Sequence, residues 1–150
     1  MGEIRVVVVD DHPLFRQGVV DAMSFEEDIY VVGEAENGDE ALKLIEEVKP
    51  QVAILDVNLP GMNGLLLTQR IVAEKWPTQV VLLTAYDDFE QVIHAMRSGA
   101  SAYRAKHVTP EELVNTVRLA AKGKYMVGDE VLEKHEVERW LQSRIDGATR

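Results

Sequence analysis

Apolar, β-branched runs alternate along the chain with longer stretches whose apolar positions recur at helical spacing. The runs are Ile4–Val9, Tyr30–Ala35, Val52–Leu55, Val80–Leu83 and Ser101–Tyr103. The helical stretches are Pro13–Met23, Asp39–Val48, Gly64–Lys75, Phe89–Arg97 and Pro110–Ala121. Ala41, Leu42, Ile45 and Val48 mark one apolar face, and Leu113, Val114, Val117 and Ala121 another. Pro13 and Pro110 suit the first turn of a helix, Thr109 suits a cap, and Gly99 and Gly123 fall where helices should stop. Five successive β-α units predict a doubly wound α/β domain over residues 1–123, with a parallel sheet between two helical layers. The runs "VVVV", "VAIL" and "VVLL" are apolar at every position, as strands covered on both faces require.

After Gly123 the pattern changes. Residues 124–150 hold no strand-like run beyond Tyr125–Val127. Asp129 is expected to cap one further amphipathic helix, with Val137, Trp140, Leu141 and Ile145 on a shared face. This tail is expected to be a linker segment, not a second domain.

Composition narrows the classes. The chain has no cysteine, which excludes a disulfide framework and thiolate zinc sites. No 18-residue apolar stretch and no basic-then-apolar leader occur, so a cytoplasmic protein without a membrane partner is expected. The net charge of −10 and the lack of any basic run oppose DNA binding by these residues themselves.

In open parallel sheets ligands bind beyond the carboxyl ends of the strands. The residues there are Asp10 and Asp11, then Asp56, Thr84 and Lys106. Neighbouring strands lie about 4.8 Å apart, so carboxylates ending them can reach a common point. Their repulsion calls for a hard divalent cation such as Mg²⁺, with Mn²⁺ as a substitute. Lysine and threonine at the remaining ends are donors suited to phosphoryl oxygens. Carboxylates for a metal, one of them a nucleophile, and two donors for phosphate describe an acyl-phosphate site.

These residues sit in "VVVVDDHPLFRQG", "VAILDVNLPGMNG", "VVLLTAY" and "SAYRAK", which resemble, in order and spacing, the receiver domains of two-component response regulators. The resemblance covers about residues 3–123. "DDHPLFRQG" and "KHVTPEELVNTVRLAAKGKYMV" resemble most the subgroup that precedes a LuxR/FixJ/NarL-type helix-turn-helix. It implies a CheY-like fold with strand order 2-1-3-4-5. It implies that Asp56 accepts a phosphoryl group from a sensor histidine kinase, with Mg²⁺ held by Asp10, Asp11, Asp56 and the backbone carbonyl of Asn58. Lys106 and Thr84 would contact the phosphoryl oxygens, and Tyr103 matches the aromatic position that turns inward when Thr84 moves. Pro60 and Gly64 would shape the turn into the third helix, while Asn58 and Tyr86 flank the path of hydrolytic water and would tune the phosphoryl lifetime. Many relatives carry a cis-proline after the lysine; here His107 follows Lys106, and a non-proline cis bond costs about 2.5–4 kcal/mol. The implied output is transcription through a DNA-binding domain outside these residues, with a homodimer compatible. A stand-alone receiver acting through protein contacts, or as a phosphate sink, is the alternative.

Other readings of the same residues fare less well. A haloacid-dehalogenase-type phosphohydrolase needs an acid two residues after its nucleophile, where this chain has Asn58. A flavodoxin-like carrier needs a glycine- and hydroxyl-rich phosphate loop, where this chain has "DDHP". Asp10 and Asp11 alone could be solubilising or capping residues. His12 reads as a helix-start residue at the site mouth, and His94, His107 and His135 as surface residues. The Trp140 stripe reads as packing, and Met62 as an ordinary loop residue.

Overall fold

The computed structural model describes residues 2–85 and 89–148. In chain order it contains β1 (Ile4–Val9), α1 (Pro13–Ser24), β2 (Ile29–Ala35), α2 (Gly38–Val48), β3 (Val52–Asp56), α3 (Gly64–Ala73) and β4 (Gln79–Thr84). These are followed by α4 (Phe89–Arg97), β5 (Ala102–Ala105), α5 (Pro110–Ala121), β6 (Tyr125–Val127), β7 (Glu130–Leu132) and α6 (Lys134–Ala148).

The strands form one sheet in the order β2-β1-β3-β4-β5-β6-β7. Strands β1 to β6 pair in parallel, and β7 returns antiparallel to β6. The expected order 2-1-3-4-5 stands intact within it. Strand alternation sorts the core into two layers. Val7 and Val9 join the α2, α3 and α4 side, with Ile45, Leu67, Ile71 and Ala95. Val6 and Val8 join the α1 and α5 side, with Val19, Met23, Leu113 and Val117. The valines are therefore covered on both faces, which removes the need for a polar side to the sheet.

Local chemistry sets the helix limits. Asn37 and Asn63 accept from the amides of Glu40 and Leu66 to cap α2 and α3. Thr109 and Glu112 form a reciprocal capping box at α5, with Pro110 in the first turn. Lys49 ends α2 in the left-handed conformation, at φ 45°.

The segment after Gly123 departs from expectation. The strand-like run Tyr125–Val127 is β6, and an unexpected β7 follows it before α6, so the sheet has seven strands where the five β-α units gave five. Three-residue strands are too short to display a period, and a two-residue Gly128-Asp129 loop joins them. Asp129 lies in that loop and does not cap α6. The helix start is instead closed by Glu136, whose carboxylate accepts from the Glu133 amide at 2.8 Å. Val137, Trp140 and Leu141 pack with Leu132 and with Val92 and Met96 of α4. The side chain of Ile145 lies outside the described residues.

Candidate functional site

The carboxyl ends of β1, β3, β4 and β5 meet at one edge of the sheet. Asp10 still pairs with β2, its amide donating to Ala35 O at 3.1 Å, and its side chain is buried. Its Oδ1 accepts the His12 amide at 2.8 Å, which bends the chain from β1 into Pro13 and α1. Asp56 closes β3, only 2% exposed, and its Oδ1 accepts the Asn58 amide at 3.0 Å. Both carboxylates are thus oriented by the backbone just beyond them.

Lys106 follows β5, held by its amide bond to Thr84 O at 2.8 Å. Its Nζ donates to Asp56 Oδ2 at 3.1 Å and lies 2.8 Å from Asp10 Oδ2, an ion-pair contact not aligned as a hydrogen bond. The ammonium also lies 4.5 Å above the Phe15 ring. Burial pushes the Lys106 pKa down, but the close Asp10 and Asp56 carboxylates outweigh it, so the net direction is upward.

Asp10, Asp11, His12 and Asp56 each present a ligand atom within 4.8 Å of the others. His12 stands at the start of α1 and at the mouth of the site, as expected, and its ring comes close to the carboxylates. Its ring is 63% exposed, yet Nδ1 lies 2.8 Å from Asp10, 3.2 Å from Asp11 and 3.7 Å from Asp56. Pro13 starts the helix immediately after it, so the ring is held over the carboxylates.

The donor set fits a hard divalent cation. Two carboxylates are buried, a third is beside them, and Asp10 Oδ2 makes no hydrogen bond. Thr84, the last residue of β4, is buried and in register with Ala105. Tyr103 is buried in the α4-side layer, in register with Leu82. Asn58 is exposed on the β3–α3 loop. Tyr86 lies outside the described residues. No cis peptide bond occurs among the described residues, so the Lys106–His107 step is trans. Beside the carboxylates, an apolar cleft of about 240 Å³ opens between α1 and α5, lined by Phe15, Val19, Lys106, Val108 and Leu113, with Leu14 at its rim. Hydrophobic periodicity could not show it, since apolar positions such as Leu113 read as a core face whether or not a cleft opens beside them.

Residues 6–118 match the family described as the response regulator receiver domain. The chain belongs to this family. Among curated relatives, the receiver is 43% identical over 125 residues to a probable transcriptional regulatory protein NarL of Mycobacterium tuberculosis, covering 83% of this chain and 58% of the relative. It is 35% identical over 124 residues to the nitrate/nitrite response regulator protein NarL of Escherichia coli, covering 83% and 57%. The chain therefore spans less than two thirds of those relatives. Among solved structures, the signal receiver domain of the M. tuberculosis putative response regulator NarL superposes with a TM-score of 0.80 at 43% identity, over 82% of this chain and 99% of that one. A LuxR-family two-component response regulator from Aurantimonas reaches 0.80 at 29% identity, over 85% and 92%. The receiver is thus of the NarL/LuxR type, whose relatives are transcriptional regulators.

Proposed function

We propose that this receiver is a phosphorylation-controlled switch that takes a phosphoryl group onto Asp56 from the phosphohistidine of a sensor kinase. The carrying observation is the Asp56 carboxylate itself. It is buried, oriented by the Asn58 amide, and faces a lysine ammonium at 3.1 Å, with two more aspartates alongside. A carboxylate oxygen attacks phosphorus, the phosphorus–nitrogen bond to the donor imidazole breaks, and that imidazole regains a proton from solvent. Lys106 and the Thr84 hydroxyl stabilise the transferred oxygens. Asp10, Asp11, Asp56 and the Asn58 carbonyl would hold Mg²⁺, which offsets the charge of carboxylates and phosphoryl oxygens when bound.

The α1–α5 cleft, with Leu14 exposed at its rim, fits an apolar helix face of the donor and opens beside Asp56. Thr84 and Tyr103 pass the change of state to the surface around α4 and β5. Asn58 and Tyr86 set the lifetime of the phosphoryl group. Residues 1–123 act as the switch, and 124–150 lead to a DNA-binding domain beyond them. That reading is supported by relatives named as transcriptional regulators and by the −10 charge, which suits these residues poorly to DNA. The site of action is the cytoplasm, and a homodimer is compatible; among the described residues no helix is long and apolar enough to cross a membrane.

The test is labelling with acetyl phosphate or a cognate kinase in Mg²⁺, read by intact mass. The wild-type chain should gain one phosphoryl group and Asp56→Asn none. Undiminished labelling of Asp56→Asn refutes the acceptor assignment.

A further inference from the structure

Arg104 is out of place in a strand built like β5. Ala102, Tyr103 and Ala105 are buried, and so is Arg104, at 7% exposed. Its guanidinium joins two elements beyond β5. Nη1 donates to Gly128 O in the β6–β7 loop at 2.7 Å and lies 3.5 Å from Asp129 Oδ1. Nη2 donates to Glu112 Oε2 in the first turn of α5 at 3.2 Å. Nε has no hydrogen-bond partner among the described residues.

A filler of β5 would not need this residue. Burying a guanidinium is costly, and an apolar side chain of similar volume is often as stable or more so. Here the cost is only partly offset, because the carboxylate of Asp129 is exposed, that of Glu112 is half exposed, and one buried donor is unpaired. What arginine adds is reach and direction toward the Gly128 carbonyl.

Arg104 holds the turn of the hairpin, whereas the base is held by the buried Met126 and by the Lys124 amide on Leu119 O at 3.0 Å. Strand β6 pairs with β5 at the single position Ala102–Met126, with the Met126 amide donating to Ser101 O at 2.8 Å. Lys124 and Glu133 close the hairpin base through an exposed ion pair. Beyond it, Leu132 and Val137 rest on Met96 of α4. The tail thus stands on β5 through Arg104 and Met126, on the α1–α5 core layer through the buried Met126 side chain, and on α4 through an apolar cluster. The Arg104 end of β5 is the part wired to the site: Ala105 is in register with Thr84, and the Lys106 amide bonds Thr84 O.

We propose that Arg104 is a positioning residue that couples occupancy of the Asp56 site to the placement of residues 124–148. This rests on the phospho-receiver reading above. A displacement of the β4–β5 ends moves Arg104 relative to Gly128 O. A cleft of about 260 Å³, lined by Arg104 itself with Tyr103, His107, Glu112, Gly128 and Asp129, leaves the guanidinium room to swing off the Gly128 carbonyl. With the latch engaged the hairpin turn is held; with Arg104 on Glu112 alone the turn is released, while the Ala102–Met126 pairing, the buried Met126 and the α4 cluster keep the hairpin base in place. Coupling is reciprocal, so freeing the tail also changes ligand affinity at the site.

The test uses the full chain with beryllofluoride and Mg²⁺ as the probe. Bound beryllofluoride is read by fluorine NMR, and the tail by amide hydrogen exchange over Tyr125–Leu132. In wild type, exchange there should change by about fivefold or more on binding, the lower end of ordinary allosteric coupling. Arg104→Met should keep the fluorine signal and lose the exchange response. Glu112→Gln, which retains the capping box, should keep the response because the Gly128 bond survives, and it shows that the response follows the Gly128 bond and not loss of the Glu112 charge. The coupling is overturned if beryllofluoride binds and wild-type exchange is unchanged, or if Arg104→Met responds as wild type does. Absence of any bound beryllofluoride overturns the phospho-receiver reading and the coupling with it.

Discussion

Gly64→Ala isolates how tightly α3 is set beneath Asp56. An ideal Cβ at Gly64 would lie 2.4 Å from Asp56 O and 2.9 Å from Val57 Cα, where ordinary contact begins at 3.4 Å. Both obstacles are backbone, so no rotamer relieves them. Overpacking of this kind costs about 1–3 kcal/mol, and the gain in helix propensity returns at most about 1 kcal/mol. Gly64 is the first residue of α3, outside the helix interior to which that gain applies, so the net loss should be about 1–3 kcal/mol, or about 2–12 °C in Tm for a chain of this length. Gly18→Ala is the matched control. It lies within α1 with nothing inside 4 Å of its added Cβ. It should therefore stabilise by about 0.5–1 kcal/mol. Urea midpoints at constant m-value measure both. A Gly64→Ala chain as stable as wild type, or stabilised like Gly18→Ala, would refute the close seating of α3 on the Asp56 backbone.

Lys106→Met removes the ammonium that faces Asp10 and Asp56 and should cost about 1–3 kcal/mol at pH 7 in EDTA, less than a fully buried pair because the lysine retains some solvent. Because the folded-state pKa of Lys106 is raised, its contribution is complete below the ordinary lysine pKa of about 10.4 and fades as pH rises through the folded value. The stability gap between wild type and Lys106→Met should therefore close in alkali, and a pH-independent gap would contradict the assignment. Thr109→Ala should cost about 1 kcal/mol in urea unfolding by breaking the α5 capping box, and Thr109→Ser should restore most of it.

The parts of this fold visible in the chain are those where one physical signal dominates. "VVVV", "VAIL" and "VVLL" show their burial at every position, because both faces of β1, β3 and β4 are covered. The strand-end rule brought Asp10, Asp11, Asp56 and Lys106 into view, and the fold places these together. Of the hairpin, β6 showed as the strand-like run Tyr125–Val127, whereas β7 stayed hidden because three residues carry no period and its stability is tertiary: the hairpin borrows the edge of β5. Arg104 gave a signal that hydrophobic scanning discards, a cation between Tyr103 and Ala105 in an otherwise apolar strand. The His12 contacts depend on the direction of one ring over the carboxylates, which composition and spacing do not encode.

Strand β1 has a further consequence, about how the chain knows its own alignment. Four identical valines carry almost no information on register, since a slip of one residue still offers valine to both layers of the core. The pairing of β1 with β2 already shifts between Val6 and Val7. What pins the strand lies at its two ends. At one end the Arg5 guanidinium donates to Val48 O and Lys49 O, at 2.7 and 3.0 Å, and Gln51 accepts the Arg5 amide. At the other, the Asp10 amide is tied to Ala35 and its carboxylate to the turn at His12. The aspartate that serves the site is also the punctuation mark of a strand that could not otherwise tell one valine from the next.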